Sequence, residues 1–454
     1  MKSRRGPSPL AAVAVAGLVV LAGLFVIGRS QASRPVDDTT ADTAADTQDA
    51  GSSPPPGAGR SSAAPSTASQ VAALEERVAR APEDHVTWAN LGIAYVQQAR
   101  VSADPGLYAR AEHALDRSLE IDKVDNDVAY AGLSTLAGAR HRFADAKQFA
   151  LDGLAINDYS ALLYGALSDA ETQLGEYDAA EDHVQRMLDL RPDTSSYARA
   201  SYLRELRGDT QSAQAFMQQA HTAAPSGDDK ASTLYFLGEL AFDQGDARRA
   251  LEHYSDALSA APDFGLAHAG RAKALAATGQ TQAALDAYAE LVDRVPDPLY
   301  SIPYGRLLES QGRAADAQDQ YRVAGVAWKL FEANGVEPDA DQLVFVADKG
   351  DPAVALRMAE TAVAARPFLA VQDGYAWALY RNGRYDDAER ASRAALQLGT
   401  RNARFHFHAG MIQLAKGAPD AARTELTTAM AINPNFDPID ARIAATTLEE
   451  LGVR

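Results

Sequence analysis

The sequence predicts an all-α solenoid built from about ten helix–turn–helix units, and three observations predict it. A glycine recurs at Gly175, Gly208, Gly245, Gly279, Gly312, Gly350, Gly383 and Gly417, at intervals of 33, 37, 34, 33, 38, 33 and 34 residues. An alanine follows each glycine by five residues, at Ala180, Ala213, Ala250, Ala284, Ala317, Ala355, Ala388 and Ala422. A proline closes most units, at Pro192, Pro225, Pro262, Pro296, Pro367 and Pro434, with Lys329 and Thr400 in its place in two of them. A fixed period of this length marks stacked units, each contacting mainly its neighbours.

The stretch Leu237 to Pro262 shows how the marks work. Leu237, Gly238 and Ala241 share one face of a first helix. Gly245 falls where that helix must stop, since a left-handed residue there is nearly free for glycine. Ala250 is small enough to let the second helix pack closely on Gly238. Tyr254 and Ala257 continue the buried face, and Pro262 cannot extend a helix.

This pattern resembles the tetratricopeptide repeat, whose motif runs W-x2-L-G-x2-Y, then A-x3-F, then P. The first unit carries the opening half as Trp88, Leu91, Gly92 and Tyr95, followed by Ala111 and Leu115. The second unit has Tyr130, Leu133 and Ala146 but no turn glycine. The resemblance covers roughly residues 71–436 and implies a right-handed superhelix of about ten repeats.

Taken in chain order, residues 1–9 are short and basic. Leu10 to Ile27 has no polar side chain, and as a helix it would span about 27 Å, near the thickness of a bilayer core. Residues 10–28 are therefore expected to be a transmembrane signal-anchor, with the basic flank cytoplasmic and the remainder extracytoplasmic. The alternative is a secreted protein after signal-peptide cleavage behind Ala32. Residues 29–69, rich in Asp, Thr, Ser and Pro, read as a disordered linker. Gln70 to Arg80 is expected to cap a solenoid over residues 70–436, and residues 437–454 to supply a C-terminal capping helix. The helix after Ala317 runs on through Tyr321, Val323, Val326, Trp328 and Leu330 to Asn334, which predicts a hinge or kink between repeats seven and eight.

Composition excludes several function classes. There is no cysteine, so disulfides, zinc–thiolate sites and thiol catalysis are absent. The net charge is −18. The first 33 residues carry +4 and residues 34–69 carry −3, which leaves −19 on the repeats. Such a domain repels phosphate backbones, so nucleic acid is not expected as a partner, and a neutral or basic protein or peptide is. No nucleotide-binding, hydrolase, zinc-protease or calcium-loop motif occurs, so neither enzymatic activity nor a cofactor is expected. His406 and His408 point about 200° apart on a helix and do not form a metal pair.

The resemblance implies that first-helix residues line the inner face of the superhelix, where peptides bind. Those positions are Tyr202 and Glu205; Tyr235, Glu239 and Phe242; Lys273; Arg306 and Glu309; Trp377, Tyr380 and Arg381; and Arg404, Phe407 and Met411. Aromatic residues and arginines dominate binding energy at interfaces, which makes the groove the candidate site. The functional expectation is a membrane-anchored, extracytoplasmic scaffold that binds a protein partner, for assembly or recruitment of an envelope complex. A small-molecule or metal-responsive sensor solenoid is the alternative.

Overall fold

The computed structural model describes residues 67–452, which form twenty-two α-helices with no strand among them. The expected membrane segment and nearly all of the expected linker lie outside the described residues. The linker boundary moves, because helix α1 begins at Thr67 and takes in residues 67–69. Among the described residues, no helix is long and apolar enough to cross a membrane.

After the cap α1 (Thr67–Arg80) come ten antiparallel pairs. They are α2 (His85–Ser102) with α3 (Leu107–Ile121), α4 (Asp127–Ala139) with α5 (Phe143–Ile156), and α6 (Ala161–Gln173) with α7 (Tyr177–Leu190). Next are α8 (Thr194–Leu206) with α9 (Thr210–Ala223), α10 (Gly227–Asp243) with α11 (Ala247–Ala260), and α12 (Gly265–Ala277) with α13 (Thr281–Arg294). The last four are α14 (Pro298–Ser310) with α15 (Ala314–Ala333), α16 (Ala340–Lys349) with α17 (Pro352–Ala365), α18 (Leu369–Arg381) with α19 (Tyr385–Ala395), and α20 (Ala403–Ala415) with α21 (Pro419–Ile432). Helix α22 (Asp440–Glu450) closes the stack.

Seven of the eight recurring glycines sit in left-handed turns, with φ between +71° (Gly208) and +83° (Gly279). Gly350 is the exception. It is extended, with φ −103°, after the ten-residue helix α16. The first two units make the same turn without glycine, using Ala103 (φ 68°) and His141 (φ 60°). His141 is held there by its Nδ1–H, which donates to the carbonyl of Glu337 at 2.7 Å.

Within a unit, the close approach differs from the expected pairing of Gly238 with Ala250. The ring of Tyr254 lies over Gly238 and over Gly270 of the next unit, and a Cβ at either glycine would come within 2.5 Å of it. Tyr254 is fully buried. The same device recurs with Leu115 over Gly92 and Gly132, Tyr321 over Gly305 and Leu426 over Gly410. Each glycine is the hole that a large second-helix side chain fills.

The stack also closes on itself. The backbone N–H of Leu369 donates to the Tyr177 hydroxyl at 3.0 Å, 192 residues away. The Asn433 amide donates to the Phe242 carbonyl at 2.7 Å, and the Glu337 N–H to the Arg140 carbonyl at 3.1 Å. In each case a first-half turn meets a connection between five and six units further on. Helix α15 drives this closure. Instead of opening a hinge, its twenty-residue run buries Ala324, Ala327, Trp328 and Phe331 in one apolar cluster with Leu107, Tyr108 and Leu136 of the first two units. The second superhelical turn is thereby seated on the first.

Candidate functional site

Closure turns the inner face into the wall of a lumen. Helix α8 faces the starts of α16, α18 and α20, Asp243 of α10 lies within reach of Lys273 of α12 and Arg404 of α20, and Arg306 of α14 meets Asp348 of α16. Asp243, at the end of α10, is exposed to water, so the lumen is wet. Burial of its carboxyl between the walls nevertheless pushes it up to about 6. Lys273 opposes that rise, Glu239 adds to it, and Arg404 from the opposite turn opposes it.

Most lumen charges are paired. Glu239 accepts from Lys273 Nζ at 2.8 Å and from the Tyr254 hydroxyl at 2.5 Å. Glu309 accepts from Lys349 at 2.7 Å and from the Tyr321 hydroxyl at 2.6 Å. Arg404 Nη1 lies 3.2 Å from Asp341. Arg306 is the hub of the far end, with Asp437 at 2.5 Å, Asp440 at 2.7 Å and Asp348 at 3.5 Å. Burial alone would weaken its charge, but the three carboxylates raise its pKa overall. Asp437 is held low against burial by Arg306, whereas burial and the nearby Asp437 push Asp440 up to about 6.

Glu205 is different. Its side-chain carboxyl has no hydrogen-bond partner among the described residues, and burial, then Asp243 and Glu239, push that carboxyl up to about 8. It lines a cavity of about 90 Å³ between α8 and the starts of α16, α18 and α20. Tyr202, one helical turn away, lines the same cavity with its hydroxyl buried and unpartnered.

The structure thus brings Tyr202, Glu239, Arg306 and Arg404 onto one lumen, but it spends several expected groove residues on packing. Phe242, Trp377 and Phe407 are 3%, 5% and 1% exposed. Phe242 lies under the Lys273 ammonium at 4.3 Å. Trp377 stacks between Tyr380 at 4.6 Å and His408 at 4.1 Å, and its Nε1 donates to Asp348 at 2.7 Å. Tyr235 packs edge-on against Phe236 and Phe264. Tyr380 is half-buried on Trp377, and Arg381 is exposed at the end of α18. The two neighbouring histidines diverge as expected, His406 to Glu425 at 2.7 Å and His408 to Asp373 at 2.9 Å. Among the described residues, no group of acidic or histidine side chains is arranged to hold a metal.

Sequence reasoning missed Asp243, Asp341, Asp348, Asp437 and Asp440. A signal existed for two of them, since Asp341 and Asp348 stand seven residues apart and share a helix face.

The fold and its charged lumen define a helical-repeat scaffold. A family model described as tetratricopeptide repeat matches residues 235–298 and 374–438, so these two stretches carry tetratricopeptide repeats. Solved structures similar to it include the human IFIT1 dimer with PPP-AAAA, at 16% identity over 72% of this chain and 77% of that one, TM-score 0.45. Cut9–Hcn1 of the APC/C is similar at 15% identity over 85% and 93%, TM-score 0.38. YrrB, a TPR protein with an unusual peptide-binding site, is similar at 21% identity over 43% and 96%, TM-score 0.27. No curated protein matches.

Proposed function

We propose that the chain is a membrane-anchored, extracytoplasmic scaffold whose acidic lumen binds a neutral or basic segment of a protein partner, for recruitment to or assembly of an envelope complex. The observation that carries this reading is the convergence of Glu205, Glu239 and Asp243 on the lumen, where Lys273 and Arg404 are the cations acting on Asp243. A net charge of −18 adds long-range attraction for a basic segment. Anchoring rests on the apolar run of residues 10–28, and the extracytoplasmic location on the basic flank before it. The repeat fold is typically a non-catalytic scaffold.

The test is photo-crosslinking in intact cells, with a benzophenone residue placed at Asp243 in the lumen or at Glu252 on an exposed second-helix position. One envelope protein captured from Asp243 and not from Glu252 is the expected result. Equal capture from both positions, or none, overturns the lumen as the site. Extraction at alkaline pH, comparing the full chain with a variant lacking residues 10–28, tests the anchor separately. Equal release of both sinks it.

A further inference from the structure

The cavity beside Glu205 has a charge balance that selects its ligand. Its ionised walls are Asp339 and Asp341 against Arg366 and Arg404. Both arginines are engaged, Arg404 with Asp341 and Arg366 with the Pro338 carbonyl and Gln173 Oε1. The groups on the wall left without a hydrogen-bond partner among the described residues are the Glu205 carboxyl and the Tyr202 hydroxyl, an acceptor once Glu205 ionises and a hydroxyl that can donate or accept. Leu206 and Phe368 supply apolar wall. A volume of about 90 Å³ suits a narrow stem and not a folded element.

We infer that this cavity is a binding site for one organic cation, an ammonium or guanidinium group on a narrow aliphatic stem, seated against the Glu205 carboxylate and the Tyr202 hydroxyl. It rests on the lumen assigned above, but its chemistry can be read without a protein partner. The same group can arrive as a lysine or arginine side chain or as a free amine.

The electrostatics fit a proton exchanged for a cation. Without ligand, the raised Glu205 carboxyl holds its proton at neutral pH, and the cavity is balanced. The groups acting on it are Asp243 and Glu239 from α10. Across the cavity stand Asp339, Asp341, Arg366 and Arg404, and His141, which burial and then Arg366 hold neutral down to about 3. A bound cation stabilises the carboxylate, and one proton leaves Glu205 for solvent.

The experiment is calorimetry on the full chain with agmatine as the free amine and acetyl-Gly-Lys-Gly-amide as the side-chain source, at pH 7.0 and 8.5 in buffers of different ionisation enthalpy. The expected result is binding of at least one probe, tighter at pH 8.5, with close to one proton released at pH 7.0. Binding should fall about tenfold or more in Glu205→Gln, the loss of one charged hydrogen bond. Tyr202→Phe should weaken it less, and Glu360→Gln, in an exposed pair with Arg384, should leave it unchanged. Agmatine alone binding assigns the site to free amines, and the peptide binding assigns it to a partner's side chain. No binding of either probe, or equal binding to Glu205→Gln, overturns the inference. Capture of a partner that is unaffected by Glu205→Gln leaves the scaffold standing and removes this site, whereas probe binding without any captured partner does the reverse.

Discussion

The side-chain amide of Asn433 donates to the backbone carbonyl of Phe242 across 2.7 Å, joining the end of the last repeat to the turn of the fifth. Asn433 is 2% exposed, and its Oδ1 also accepts the N–H of Asn435. This one side chain ties the two superhelical turns together and caps a local bend. Asn433→Ala removes both roles, but the Phe242 carbonyl keeps the Gly245 N–H at 2.8 Å, so the expected loss is about 0.5–1.5 kcal/mol, that of an ordinary hydrogen bond. Urea unfolding should show the loss, and small-angle scattering should show a larger radius of gyration. An unchanged radius would mean that the apolar seam holds the turns together without this bond.

Trp328 is the apolar half of the same closure, packed with Phe331 against the first two units. Trp328→Ala is expected to lose about 3–5 kcal/mol by cavity formation. The sharper readout is hydrogen exchange. Protection should fall in α3 and α4, far away in sequence, as well as in α15. Exchange changes confined to α15 would argue against docking.

Arg306 neutralises Asp437, Asp440 and Asp348 at once, with all four side chains at most 16% exposed. Arg306→Leu leaves three carboxylates facing one another and should cost about 3–5 kcal/mol, the usual penalty for breaking a buried pair from one side. Arg306→Lys keeps the charge but not the fork and should recover part of that loss. Equal unfolding midpoints for wild type and Arg306→Leu would contradict the arrangement.

Stability should fall as pH rises from 6.5 to 8. A carboxyl whose folded pKa is raised binds its proton more tightly in the native state, and that advantage disappears as pH climbs through the folded value. Glu205, at about 8, titrates across this window. Asp243, Asp339 and Asp440, at about 6, lose their advantage mostly below it. His141, depressed to about 3, acts in the opposite sense, but only below its unfolded value near 6.5. The melting temperature should therefore drop by a few degrees between pH 6.5 and 8, and the slope should flatten in Glu205→Gln. An identical slope in the variant would remove Glu205 as the cause.

Gly238 and Gly270 sandwich the Tyr254 ring. Gly238→Ala is expected to cost about 1–3 kcal/mol by overpacking, and the double variant Gly238→Ala/Tyr254→Leu to recover part of it. Thermal melts of wild type, Gly238→Ala, Tyr254→Leu and the double variant decide the matter, since additive losses would mean that the two residues do not share a contact.

Trp377 shows how far sequence reading reached. The repeat register placed it on the inner face of the superhelix, and the structure buries it at 5% exposure. Register does not say what stands opposite, and here His408, Tyr380 and Asp348 enclose it. The same holds for Phe407. The repeat period, the left-handed glycines and the two caps were legible because they are local. A turn glycine or a buried alanine is dictated by residues within one or two helices of it. His141 was not legible as a turn residue, because its left-handed backbone is held by Glu337, 196 residues later.

The sequence by itself determined the unit. Gly245, Ala250 and Pro262 state where helices stop, touch and restart, and the glycine–alanine pair recurs in eight of the ten units. Tertiary structure alone decided what the stack encloses. A small rotation at each interface accumulates over five to six units until Tyr177 meets Leu369. Only then do Glu205 and Asp243 of one turn face Arg404 of the next across a wet lumen. No local pattern encodes that meeting, because it depends on the sum of many interfaces and on the length of α15.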